Sequence, residues 1–212
     1  MNKDFWGPST WRSIHYAASG LDPANQNSFH QFIYSLPKIL PCEVCQKHLE
    51  TNLKNFPLTN QYLTSSKNAF YWTYLLHNTV NTQLKKYKPK YEQVAQSYYY
   101  GARNSHIWGP DMWKMIHSFA AGYKVKPGSA QYFRQFIYSL PGLLTCDNCK
   151  NRMIDVLQRL PLDSEILSDS KKLFLWSYQL HDIVNRQLGK YSPSYDKVSN
   201  FYFNKEVCED CN

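Results

Sequence analysis

The chain has 212 residues, enough for one large domain or two small ones, with 43% hydrophobic and 16% aromatic side chains to fill packed cores. The formal net charge of +8 is thinly spread, densest at Lys85, Lys86, Lys88 and Lys90, and reads as a solvated face rather than a nucleic-acid site. No apolar run approaches the ~20 residues that span a membrane, and Met1 to Trp11 lacks an apolar leader core, so neither a membrane span nor a secretion signal is expected.

In chain order the pattern predicts helices. Pro8 is expected in the first turn of a helix that runs through Thr10 to Ser19 and stops at Gly20. Ser28 to Leu36 predicts a second helix, ended by Pro37. Cys42 opens a third that reaches about Asn55. Ser66 to Leu84 predicts a long fourth helix, and Tyr91 to Tyr100 a short fifth. No alternating strand pattern with hairpin turns interrupts them.

The order then repeats. Trp6-Gly7-Pro8, Trp11 and His15 recur 102 residues on as Trp108-Gly109-Pro110, Trp113 and His117. Gln31 to Pro37 recurs letter for letter as Gln135 to Pro141, 104 residues on. At that same offset Cys42, Cys45, Trp72 and His77 recur as Cys146, Cys149, Trp176 and His181. The two-residue difference falls between His15 and Gln31, a loop insertion. An all-α fold of two tandem units is therefore expected, residues 1–101 and 102–203, each a four-helix bundle plus a short fifth helix, followed by a tail at 204–212.

All six cysteines sort into C-x-x-C pairs: Cys42/Cys45, Cys146/Cys149 and Cys208/Cys211. Such a pair closes too small a loop to stabilise much as a staple, whereas it serves redox chemistry and zinc sites well. Cys42 and Cys45 stand at a helix start, where backbone N–H groups and the helix dipole favour thiolate. A structural disulfide and a zinc site that includes His48 remain the alternatives, and Gln46 after Cys45 disfavours c-type haem. On the fourth helix His77 and Asn81 share a face with Leu84, a polar stripe that needs partners if buried. Trp11 and His15, four apart, offer a stacking wall for a heterocycle.

Taken together, W-G-P-x-x-W-x-x-x-H, P-C-x-x-C and W-x-x-x-x-H-N-x-V-N-x-x-L-x-K resemble the Erv/ALR family of FAD-linked sulfhydryl oxidases. The residues are Trp6, Gly7, Pro8, Trp11, His15, Pro41, Cys42, Cys45, Trp72, His77, Asn78, Val80, Asn81, Leu84 and Lys86. The match runs again through Trp108, Trp113, His117, Cys146, Cys149, Trp176, His181, Val184, Asn185, Leu188, Gly189 and Lys190. The resemblance implies FAD within each bundle, with Cys45 and Cys149 beside the flavin and Cys42 and Cys146 accepting electrons from outside. It implies a cofactor shell of Gly7, Trp11, His15, His77, Asn78, Val80, Asn81, Leu84, Lys86 and Tyr91 in the first unit. In the second the shell is Trp113, His117, His181, Asn185, Leu188, Lys190 and Tyr195. No metal is implied. Cys208 and Cys211 would form a shuttle on a terminal arm, and electrons would pass from protein dithiols to oxygen, giving hydrogen peroxide. The resemblance also implies a thioredoxin- or glutaredoxin-like carrier as a partner.

The units differ. The second has Thr145 before Cys146, and Asp182 where the family pattern has Asn, a charge unfavourable beside cofactor phosphates. Two flavins per chain are expected. Relatives of this kind dimerise, so an intrachain pseudo-dimer or a homodimer is expected. The lack of further cysteines resembles the viral members, which points to the cytoplasm of an infected cell or a virion, with the mitochondrial intermembrane space as the alternative. A zinc-binding or catalytically inactive interaction module is the competing function.

Overall fold

The computed structural model describes residues 2–204, and over them the fold is all-helical. Cys208 and Cys211 lie outside the described residues. Helix α1 spans Lys3–Ser19, and the Asn2 side chain caps it by accepting the Asp4 N–H. It therefore begins a turn earlier than expected and carries Pro8 in its interior. There Pro8 forgoes one backbone hydrogen bond, while the helix on either side stays anchored by buried Trp6, Ile14, Ala17 and Ala18. Helix α2 (Gln26–Ile39) likewise runs through Pro37 and stops only at Leu40. Helix α3 (Glu43–Asn55) starts on Cys42 as its N-cap. A short α4 (Asn60–Leu63), which the pattern did not predict, precedes α5 (Ser66–Gln83) and α6 (Tyr91–Gly101).

The second unit repeats the series as α7 (Ser105–Ala121), α8 (Ser129–Ser139), α9 (Asp147–Arg159), α10 (Ser170–Gln187) and α11 (Tyr195–Phe203). α7 carries Pro110 inside it as α1 carries Pro8. Here Pro141 does end its helix, in a 3-10 turn at Leu140–Leu143.

Equivalent helices of the two units pack on each other, α1 on α7 and α2 on α8. The contacts are reciprocal, as a pseudo-twofold demands. Phe32 stacks on its counterpart Phe136 with centroids 5.9 Å apart, and the Gln135 side chain donates to the carbonyl of its counterpart Gln31. Pro41 abuts Gly122, and its counterpart Thr145 abuts Gly20. Neither glycine position has room for a β-carbon, so the residue preceding each C-x-x-C is seated on the other unit. Off the axis, Arg12 grips Asp111 through two nitrogens at 2.7 and 2.6 Å. Phe29, Phe32, Phe119, Phe133 and Phe136 are all fully buried, and one continuous core serves both units.

Candidate active site

Helices α1 and α5 bring together side chains 58 to 62 residues apart in sequence. The Thr73 hydroxyl donates to the Phe70 carbonyl at 2.8 Å, so its oxygen is left to accept from His15 Nδ1 at 2.9 Å. With Nδ1 carrying the proton, His15 Nε2 accepts from His77 Nδ1, also at 2.9 Å. His77 Nε2 then remains as an acceptor. Trp11 lies flat on the His77 ring, with centroids 4.1 Å apart and planes 2° from parallel. The second unit copies this relay. Ser177 donates to Phe174, His117 Nδ1 meets Ser177 at 3.0 Å, and His117 Nε2 meets His181 Nδ1 at 2.9 Å. Trp113 stacks on His181 at 4.0 Å.

Both imidazole pairs are held neutral. Burial pushes His15 down to about 3, assisted by His77. Burial and the nearby Lys86 push His77 down to about 4. His117 is lowered by burial and His181. His181 falls to about 4 through burial and Lys190, opposed by Asp182.

At the end of α5 the Lys85 N–H donates to Thr82 and the Lys86 N–H to Asn81, a Schellman turn. α10 ends the same way, with Gly189 donating to Arg186 and Lys190 to Asn185. Such a turn needs a left-handed residue, and Gly189 supplies it without strain at φ 65°, whereas Lys85 adopts φ 54°. The turn sets each lysine beside its asparagine. Asn81 is buried and donates to Asn78, while Asn185 donates to Ser192.

Each C-x-x-C is closed as a disulfide, Cys42–Cys45 and Cys146–Cys149, with Cα atoms 5.1 Å apart. The Sγ of Cys42 accepts the Cys45 N–H at 3.2 Å, as Cys146 does from Cys149. Once the bond opens, that donor would favour negative charge on the capping sulfur. With Cys42 and Cys45 joined to each other and His48 exposed, the zinc cluster envisaged around His48 is not assembled.

In the second unit these parts surround a cavity of about 600 Å³ lined by Trp113, His117, Cys146, Cys149, His181, Asn185, Leu188 and Lys190. Tyr195 is not part of the lining and instead packs edge-on against Tyr178. Tyr91 is similarly engaged with Phe70, Tyr71 and Tyr74. In the first unit Gly7 has nothing near its Cα face, Val80 and Asn78 are half-buried, and Leu84 and Lys86 are exposed at the helix end. Asp182 lines the cavity and is paired with Arg186 at 2.6 Å, which offsets part of its charge. The sequence reading missed Thr73, Ser177, Tyr178, Arg152 and Ser192. A signal existed for the first two, each a hydroxyl residue four positions before the helical histidine.

Each helical repeat thus joins a C-x-x-C disulfide to a tryptophan-stacked histidine pair, and in the second repeat the two wall one cavity. The Erv1/Alr family model matches residues 8–99 and again 110–204, and the chain belongs to that family. It is 37% identical over 86 residues to a putative FAD-linked sulfhydryl oxidase of Invertebrate iridescent virus 3, covering 40% of this chain and 57% of the relative. It is 37% identical over 99 residues to an FAD-linked sulfhydryl oxidase of African swine fever virus, covering 42% of this chain and 81% of the relative. A probable FAD-linked sulfhydryl oxidase of Acanthamoeba polyphaga mimivirus is 31% identical over 93 residues, covering 43% and 65%. The chain thus spans little more than half the length of the first of these. No solved structure matches.

Proposed function

We propose that the chain is an FAD-linked sulfhydryl oxidase with two working repeats, residues 1–101 and 102–203, that makes disulfides in protein substrates and passes the electrons to oxygen. The observation that carries this reading is the junction, in one cavity, of the Cys146–Cys149 disulfide with the Trp113–His181 stack and its neutral histidine relay.

The residues present suit a flavin nucleotide. The cavity falls within the ~300–1,000 Å³ range of organic ligand sites, and its wall offers flat aromatic surface with a few polar groups. Trp113 and His181 would take a planar ring by stacking, and the free His181 Nε2 would accept a hydrogen bond. Asn185 and Lys190 would hold polar and anionic parts at the rim. Trp11, His77, Asn81 and Lys86 would do so in the first repeat. FAD, when bound, supplies a two-electron acceptor that returns its electrons to oxygen as hydrogen peroxide.

The thiol chemistry belongs to the chain. A substrate thiolate attacks Cys42 Sγ, the Cys42–Cys45 bond breaks, and Cys45 leaves as thiolate. The second substrate thiolate then attacks the substrate sulfur of the mixed disulfide, and Cys42 leaves as thiolate. The substrate has lost two electrons and two protons, and the electrons reside on the Cys42/Cys45 pair. Cys45 would hand these electrons to the bound flavin, as Cys149 would in the second repeat. Cys208 and Cys211 act as a shuttle that relays electrons from substrate dithiols to these stations.

Two measurements on the purified chain test the reading together. Flavin absorbance near two equivalents per chain and oxygen uptake with a small dithiol are expected. A colourless protein that consumes no oxygen after FAD is supplied would refute it and favour an inactive interaction module.

A further inference from the structure

Thr145, the residue before Cys146, is held by the first repeat at both branches of its side chain. Its methyl fills the space that a β-carbon on Gly20 would need. Its hydroxyl donates to the Ala102 carbonyl at 2.6 Å. Ala102 caps the end of α6 and is 3% exposed, so its carbonyl has no bulk water to turn to if that bond lengthens. The Ala102 N–H in turn donates to the Tyr98 carbonyl at 2.9 Å.

Tyr98 packs on the histidine relay of the first repeat. Its ring lies 4.9 Å from His15 and 5.6 Å from Phe70, whose carbonyl accepts from Thr73. The Ser19 hydroxyl, one residue before Gly20, also reaches the Tyr98 carbonyl at 3.4 Å. On the other side of Thr145, Cys146 is at once the N-cap of α9 and one half of the Cys146–Cys149 disulfide. Contacts through Cys146, Thr145, Ala102, Tyr98 and His15 thus run from a redox bond in one repeat to the buried relay of the other. The first station lacks this donor. Pro41, the counterpart of Thr145, carries no hydroxyl and meets Gly122 through its ring.

We infer that Thr145 is a positioning residue that couples the redox state of Cys146–Cys149 to cofactor binding in the first repeat. The inference rests on the proposed oxidase function, which supplies both the reduction and the cofactor. The two-state element is the bond itself, closed or open. A substrate dithiol closes its own disulfide as the Cys146–Cys149 bond opens, so two electrons move and two thiols are left at the station. Cys146 is then tied to α9 by its cap alone, and the peptide it shares with Thr145 gains freedom. A shift of Thr145 lengthens its bond to Ala102 and loosens the α6 end that holds Tyr98 over His15. The first repeat therefore binds flavin more tightly while the second station is oxidised. By linkage, flavin in the first repeat favours the closed Cys146–Cys149 bond. Pro41 gives Cys42–Cys45 no equivalent link, so the coupling is one-sided.

Flavin titration of the full chain tests this. Cys42→Ser, Cys45→Ser, Cys208→Ser and Cys211→Ser leave Cys146–Cys149 as the one redox pair. Trp113→Ala removes the stacking wall of the second cavity, so the fluorescence of added FAD reports the first repeat. Its dissociation constant is expected to rise about fivefold when dithiothreitol reduces the pair. Thr145→Val should equalise the two states, and Thr145→Ser should restore the difference, whereas a merely structural role would weaken both states alike. The reciprocal measurement needs one substitution. Trp11→Ala, which removes the flavin wall of the first repeat, should make Cys146–Cys149 about fivefold easier to reduce in an anaerobic glutathione buffer, read by alkylation and mass spectrometry. Equal FAD affinity in both redox states, a difference that survives Thr145→Val, or a Cys146–Cys149 equilibrium indifferent to Trp11→Ala would overturn the inference. Failure of the unsubstituted chain to bind flavin would overturn the oxidase reading, and this inference with it.

Discussion

His15 Nε2 and His77 Nδ1 stand 2.9 Å apart, and the hydroxyl of Thr73 fixes which of the two carries the shared proton. His117, His181 and Ser177 repeat that arrangement, so the relay is a design feature of both repeats. Its ordering depends on both rings being neutral, which gives it a pH signature.

The sign follows from the lowered values, about 3 for His15 and about 4 for His77. Unfolded histidine titrates near 6.5. The unfolded chain therefore binds more protons below that point, and the stabilisation is whole above pH 6.5. It is lost as pH falls toward the folded values, at about 1.4 kcal/mol per pH unit for each histidine. The denaturation midpoint should drop steeply between pH 6.5 and 5, and a flat profile would contradict the relay.

Thr73→Val keeps the shape and removes the acceptor for His15 Nδ1. The orphaned buried N–H should cost about 1–3 kcal/mol. The wrong tautomer becomes available, so flavin retention in the first repeat should fall too. Thr73→Ser, which matches Ser177 in the second repeat, should preserve both properties in urea titration and flavin assay.

Trp11→Ala and Trp113→Ala each remove one stacking wall. Each should reduce bound flavin from about two per chain to about one. A double variant should be colourless yet helical by circular dichroism. If either single variant loses both flavins, the repeats do not bind independently.

Lys85 holds a left-handed conformation at φ 54°, where its counterpart is Gly189. The Lys85 side chain is exposed, so Lys85→Gly removes backbone strain and little else. A gain of about 1 kcal/mol is expected, with a loss of similar size for Gly189→Ala. Thermal melts of the two variants should move in opposite directions.

Gly122→Ala would drive a methyl into the Pro41 ring, and Gly20→Ala would drive one into the Thr145 methyl. The proline ring cannot rotate away, whereas threonine can change rotamer. Gly122→Ala should therefore cost more, about 1–3 kcal/mol, and should slow dithiol oxidation at Cys42 more than at Cys146. Thr145→Ser should rescue Gly20→Ala. Equal losses at both glycines would contradict this asymmetry.

Much of the architecture was legible in one dimension. The repeat was visible because equivalent residues return at constant offsets, and a helix displays its period locally. The start of α3 at Cys42 and the spans of α5 and α6 followed from capping and periodicity. Pro8 and Pro37 read in the sequence as helix boundaries, and neither is one. Pro8 and Pro37 lie inside α1 and α2 because a well-buried helix face outweighs one missing hydrogen bond. The residues of the histidine relay were nearly all named, but their order was not, since Thr73 and His15 are 58 positions apart.

By itself, the sequence determined the chemistry available: three C-x-x-C pairs, two tryptophan–histidine faces and a duplicated helical frame. Local spacing is enough for that, because a helix turns i and i+4 onto one side. Only the tertiary structure decided how the copies are used. Packing α1 on α7 and α2 on α8 seats the residue before each disulfide against the other repeat. It thereby delivers Lys124 and Lys126 to Glu43, the residue after Cys42, through contacts across 80 or more residues.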